Sequence, residues 1–303
     1  MERFFLVFKA KARDEGKMLR EFLKERQISK AALIDIKFNG GALQVNGSAV
    51  TVRYLLHKSD TVEVFFPKEE PSEDLVAEEI PIDIVFEDEH VLVVNKPAGM
   101  ASIPSREHRH GTLANAVLGY YHLKGICATI HIVTRLDRDT SGLMLIAKHR
   151  HAHHLFSLQQ KEFGVKRRYE ALVHGEMTGV AGSACGGKVD APIGRKDSSI
   201  IEREVRIDGQ RAVTQYEVLR VGAGWSQLSL KLETGRTHQI RVHMAHIGHP
   251  LLGDTLYGGS LSGGMSRQAL HSCELCFFHP VEERDMTFRC ELPEDMKRVL
   301  EES

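Results

Sequence analysis

Short apolar runs closed by turn residues recur along this chain, and they limit its fold more than any other feature. Leu43 and Val45 alternate up to Asn46-Gly47, a dipeptide that favours a tight hairpin. Val62, Val64 and Phe66 alternate in a further strand. Val91 to Val94 form an apolar run that ends at Asn95, Pro97 and Gly99. Residues 143–147 and 169–175 repeat the pattern, Asp208-Gly209 marks another hairpin, and residues 225–232 place Leu228, Leu230 and Leu232 on one face. Helical stretches are fewer, at residues 151–160 and 238–248 in the larger part of the chain. Many strands joined by hairpins, with few interleaved helices, predict an α+β fold with a largely antiparallel sheet. No internal repeat or low-complexity tract is present.

Charge divides the chain. Residues 9–30 hold eight Lys/Arg and four Asp/Glu, residues 68–90 one Lys and ten Asp/Glu, and residues 131–170 eight basic and four acidic side chains. The net charge of −1 hides these blocks. Two basic regions on either side of an acidic one suit local contact with a polyanion. The expected organisation is a small module at 11–67, an acidic linker at 68–80, a larger domain at 81–293 and a tail at 294–303. Within the module, Leu19, Phe22 and Leu23 have the spacing of a short amphipathic helix. Ser29 is placed to cap a second helix carrying Leu33 and Ile34. Two helices followed by a small sheet resemble the S4 RNA-binding domain, on the stretch MLREFL, then Ser29-Lys30, QVNG, and Lys58-Ser59-Asp60-Thr61-Val62. The resemblance implies RNA contacts from Lys17, Arg20, Lys24, Arg26 and Lys30.

Several classes are disfavoured. No apolar run approaches the roughly 20 residues a membrane span needs. The N-terminus lacks a secretory pattern, so a cytoplasmic location is expected. Five scattered cysteines do not form a disulfide framework. Cys273 and Cys276 fall in a predicted strand, where residues three apart point to opposite faces. His238, His243, His246 and His249 are not spaced to share one helical face. Neither set predicts a metal site.

The run Thr134 to Leu143, TRLDRDTSGL, is polar and leads into a hydrophobic strand, an arrangement that often displays catalytic groups. Asp137 and Asp139 are the candidate carboxylates. A phosphatase-like D-x-D reading is disfavoured because the apolar strand follows the pair instead of preceding it. Two further runs weigh on the choice: Gly235 to Asp254, opening GRTHQIRVH, and Lys166 to Gly175, KRRYEALVHG. With Asn95-Lys96-Pro97-Ala98-Gly99 they resemble, in order and spacing, the pseudouridine synthase family typified by the large-subunit rRNA enzymes of the RluA type, over residues 80–293.

The resemblance implies isomerisation of specific uridines in structured RNA. It makes Asp137 the essential aspartate, either attacking the ribose C1′ or removing the C2′ proton. It places Arg236 as the partner of that aspartate and Tyr169 as an aromatic wall of the uracil site. Arg135 and Arg138 become phosphate or loop-bracing contacts. The resemblance also implies no cofactor or metal, since exchanging an N- for a C-glycosidic bond is redox-neutral. The expected partner is RNA, rRNA first and tRNA second, met by a monomer away from any membrane. Thr134 departs from the family pattern, which often has His there. A non-catalytic S4-containing RNA-binding or ribosome-assembly protein is the alternative reading.

Overall fold

The computed structural model describes residues 4–106, 108–162, 164–178, 186–261 and 264–301. The N-terminal module contains β1 (Phe5–Lys9), α1 (Leu19–Glu25), α2 (Lys30–Phe38), β2 (Ala42–Val45), β3 (Ser48–Ala49) and β4 (Thr61–Phe65). Its sheet has the order β1-β4-β2-β3. The predicted hairpin forms at Asn46-Gly47, with φ of 51° and 75°, the positive pair that a two-residue hairpin turn requires. Leu19, Phe22 and Leu23 are fully buried beneath the sheet with Val62 and Val64. Ser29 caps α2 by accepting from the Ala32 amide at 3.0 Å. Ile36 is the buried residue of α2, whereas Ile34, one of the two expected core residues, is exposed. A module starting at residue 11 omits β1, which pairs along its whole length with β4.

The larger domain comprises β5 (Asp83–Glu87), β6 (Val91–Lys96), α3 (Leu113–Lys124), β7 (His131–Ile132), β8 (Ser141–Ala147), α4 (Arg150–Lys161), β9 (Lys166–His174), β10 (Gly186–Asp190), β11 (Ile193–Arg195), β12 (Arg203–Val205), β13 (Val213–Gly222), β14 (Trp225–Leu232), α5 (Gln239–His246), β15 (Leu270–His279), β16 (Arg284–Arg289) and α6 (Glu294–Glu301). Ten strands form one sheet whose main path is β10-β13-β14-β9-β15-β8-β6-β5, with β16 beside β15 and β7 beside β8. All its pairings are antiparallel except β15 with β8. At that parallel contact Gly142 has φ +114°, and a Cβ there would lie 2.3 Å from the Ser272 carbonyl oxygen, so only glycine fits. β8 is buried along its entire length, packed on both faces, as its unbroken LMLIA run requires.

Residues 68–80 carry no helix or strand. They are nonetheless tied to the large domain: Glu69 accepts from His131 and from the Arg150 amide, and the Glu78 carboxylate accepts from the Gly111 amide. The segment expected as a tail forms α6, which buries Met296 and Val299 with Leu172 and Trp225.

Candidate active site

The loop between β7 and β8 carries Asp137. Its shape is set by neutral backbone contacts. Thr134 Oγ1 accepts from the Leu145 amide at 2.9 Å, anchoring the loop to β8. Ser102 Oγ donates to the Leu136 carbonyl at 2.7 Å and accepts from the Leu136 amide at 3.2 Å. Leu136 is thereby buried, which turns Asp137 outward, and the Thr140 amide closes the turn onto the Asp137 carbonyl at 3.1 Å. Lys96, fully buried at the end of β6, donates to the carbonyls of Pro97, Met100 and Arg138 at 2.8, 2.7 and 2.9 Å. Burial pushes this lysine down to about 7, against the pull of Asp139 and Asp137. All three of its donors are used to join the NKPAGM loop to the Asp137 loop.

The cation that meets Asp137 is Arg241. Its Nη1 lies 3.2 Å from Asp137 Oδ2, while Nε and Nη2 grip Asp254 at 2.7 Å each. Burial works against the charge, but the hydrogen bonds and charge of Asp254 and Asp137 keep the guanidinium above its ordinary value. Its plane lies over the Tyr257 ring, 4.9 Å from the centroid. His238 completes the cluster: its Nε2 is 3.8 Å from Asp137 Oδ2, and its Nδ1 is 2.7 Å from the Tyr257 hydroxyl.

The expected pairing of Arg236 with Asp137 is not formed. Arg236 is exposed, and its Nε donates to the Arg211 carbonyl at 3.1 Å. It precedes α5, on a turn bound by Gln239 Oε1, which accepts from the Arg236 amide at 3.0 Å. Arg241 lies within α5, where the six residues Gln239 to Met244 are all buried. Tyr169 is buried on β9, its phenol raised by burial, and lines a small pocket of about 80 Å³ together with Asp137, Arg236 and Arg241. Arg135 is exposed beside the same pocket. Arg138 turns away to grip Asp139, with both bonds at 3.1 Å. The other histidines disperse: His243 is buried between Thr214 and Ala191, and His246 is exposed. Among the described residues no group of His, Cys, Asp or Glu is arranged to hold a metal ion.

A groove of about 1070 Å³ opens over Asp137. Arg135, Arg138, Lys166, Arg167, Arg168, Arg211, Lys231 and Arg236 line it, against Asp137, Glu233 and Glu274. Such a mostly basic surface suits contact with a phosphodiester backbone.

Residues 90–246 match the family model described as RNA pseudouridylate synthase. The chain belongs to the RNA pseudouridylate synthase family. It is therefore an isomerase acting on RNA. It is 54% identical over 282 residues to an uncharacterized RNA pseudouridine synthase of Bacillus subtilis, YjbO, spanning 93% of this chain and 98% of that protein. It is 40% identical over 275 residues to ribosomal large subunit pseudouridine synthase D of Pseudomonas aeruginosa, spanning 86% and 83%. The solved structure of human RNA pseudouridylate synthase domain containing 4 superposes with a TM-score of 0.56 at 25% identity, covering 72% of this chain and 92% of the other. The α+β synthase fold expected from the sequence is the one observed. No helix among the described residues is long and apolar enough to cross a membrane.

In the N-terminal module, three of the five expected RNA contacts are exposed: Arg20, Lys24 and Lys30. Lys17 is bound to Asp14 and Glu25 at 3.1 and 2.7 Å. Arg26 stacks over Phe22, 3.2 Å from the ring centroid, and lies 3.6 Å from the fully buried Asp14. These two are committed to internal partners and hold the module together.

Proposed function

We propose that the chain converts a uridine of large-subunit rRNA to pseudouridine with Asp137 as its catalytic carboxylate. The observation that carries this reading is a carboxylate held by a buried arginine in a groove lined by eight basic side chains. In the reaction the N1–C1′ bond breaks, the uracil turns, and a C5–C1′ bond forms; C5 loses a proton and N1 gains one. Atoms and electrons balance without an oxidant. The uridine must leave its stack to reach Asp137, at a cost of a few kcal/mol, and Tyr169 together with the basic groove offsets that cost. Ribosomal RNA is favoured over tRNA by the likeness to ribosomal large subunit pseudouridine synthase D. The N-terminal module acts as an S4-like RNA anchor through Arg20, Lys24 and Lys30. The protein works as a cytoplasmic monomer. A non-catalytic role is disfavoured by the intact Asp137–Arg241–Asp254 cluster.

The test is Asp137→Asn, which removes the charge at constant size. It should abolish pseudouridine formation while RNA binding persists, whereas Asp139→Asn should retain most activity. Turnover by Asp137→Asn would overturn the assignment. Mapping pseudouridines in a strain lacking the gene, against its parent, should show one or more large-subunit rRNA positions lost; a loss confined to tRNA would redirect the substrate.

A further inference from the structure

Both groups that approach Asp137 from α5 and its entry turn reach the same oxygen. Arg241 Nη1 is 3.2 Å from Oδ2 and His238 Nε2 is 3.8 Å from Oδ2, and no hydrogen bond to Oδ1 is formed within the described residues. His238 is held for this position. It has φ 57°, a left-handed conformation uncommon for a non-glycine residue, and its ring meets Tyr257 edge-on. The Tyr257 hydroxyl accepts the Arg203 amide at 2.9 Å and lies 2.7 Å from His238 Nδ1. With the hydroxyl donating its proton to His238 Nδ1, the neutral imidazole carries its own proton on Nε2, facing Asp137. The opposite tautomer would aim a lone pair at the carboxylate and leave the hydroxyl proton without this acceptor.

We propose that His238, locked in the Nε2–H tautomer by Tyr257, is a positioning residue that with Arg241 occupies Oδ2 of Asp137 and leaves Oδ1 as the oxygen that meets the ribose. The inference rests on Asp137 being the catalytic carboxylate and adds which oxygen acts and what selects it. Burial keeps the imidazole below its ordinary value, and the Arg241 and Arg203 charges add to this against the attraction of Asp137 and Asp254. It is therefore neutral near pH 7 and donates a hydrogen bond without taking a proton. The 3.8 Å separation is longer than a hydrogen bond and would shorten as the substrate closes the site, as catalytic contacts often do.

Two measurements test this. In protein labelled with 15N-histidine, the His238 resonances, assigned by their loss in His238→Gln, should show a neutral ring protonated at Nε2; in Tyr257→Phe they should show a mixed tautomer. In single-turnover kinetics Tyr257→Phe and His238→Ala should lower the rate roughly tenfold with RNA affinity unchanged, as for a lost hydrogen bond to a charged group. His238→Gln, whose amide can reach the Nε2 position, should recover part of the rate. Because residue 238 is in the left-handed region, Tyr257→Phe is the decisive variant should His238→Ala not fold. An Nδ1–H tautomer in the parent protein, or a wild-type rate in Tyr257→Phe, would overturn the proposal. If Asp137→Asn were inactive in the same assay, the catalytic assignment would stand while this inference fell.

Discussion

Replacing Arg241 by methionine should damage both the stability of the protein and the rate at the site. The Arg241 side chain is 8% exposed and that of Asp254 1%, and two 2.7 Å bonds join them. Methionine fills much of the volume but leaves the Asp254 carboxylate buried without its cation. Breaking a buried pair from one side costs about 3–5 kcal/mol, a large part of the roughly 5–15 kcal/mol that stabilises a domain. The same change frees Asp137 from the group that orients it, and losing a positioned reactive group costs about a hundredfold or more in rate. Arg241→Lys keeps the charge but cannot reach both carboxylates with one ammonium, so it should fold better than Arg241→Met and remain slow. Arg236→Ala should leave stability nearly unchanged and lower RNA affinity more than the rate of bound RNA, since the side chain is exposed in the groove. Urea denaturation and release of tritium from RNA labelled at uridine C5 separate these outcomes. An inactive Arg236→Ala beside an active, stable Arg241→Met would refute the pairing argued from the structure.

Acid should loosen the protein before its carboxylates titrate. Burial holds His151 and His271 down to about 4; both are neutral in the folded state and protonate near 6.5 when unfolded. The unfolded state then binds more protons as pH falls from about 6.5 to about 4, so stability is lost across that window by on the order of a few kcal/mol per group. Urea midpoints at pH 7 and pH 5 test this, and equal values would refute it. His149 and His151 also form the seat of the module, with Phe4 stacked on His149 at 3.6 Å and Phe66 5.5 Å from His151. Deleting residues 1–66, while keeping Glu69, should leave a folded large domain whose RNA binding is weaker and less salt-dependent; an unchanged salt slope would remove the module from RNA binding. Lys96→Met should strand three carbonyls, cost about 1–3 kcal/mol and slow turnover by releasing the Asp137 loop; thermal unfolding with single-turnover rates reads both, and parental values in both would show the bridge to be dispensable.

Where structure depends on local pattern, the sequence was legible. Leu228, Leu230 and Leu232 alternate, and the strand covers the predicted 225–232; Asn46-Gly47 makes its turn; Ser29 caps its helix. β1 and α6 also carried local signals, an unbroken apolar run at residues 4–8 and Met296, Val299 and Leu300 at helical spacing, and Phe4, Leu6 and Phe8 in the first and those three residues in the second lie on the two cores they complete. The parallel contact of β15 with β8 joins residues about 130 positions apart, and no local pattern encodes it. The site divides in the same way. The Asp137 loop was readable as a candidate site because it carries its own turn chemistry. Its partner was not, because GRTHQIR offers two arginines and only the helix boundary separates them. Arg236 falls before α5, where the chain is exposed; Arg241 falls inside it, between Ile240 and Met244, which are in the core. An arginine on the buried part of a helix requires a carboxylate, and Asp254 stands thirteen residues on. That burial requirement was the available signal. It also explains why His238 and Tyr257 escaped notice: each looks ordinary in the sequence, and they matter only once the Arg241–Asp254 pair has fixed the helix against the Asp137 loop.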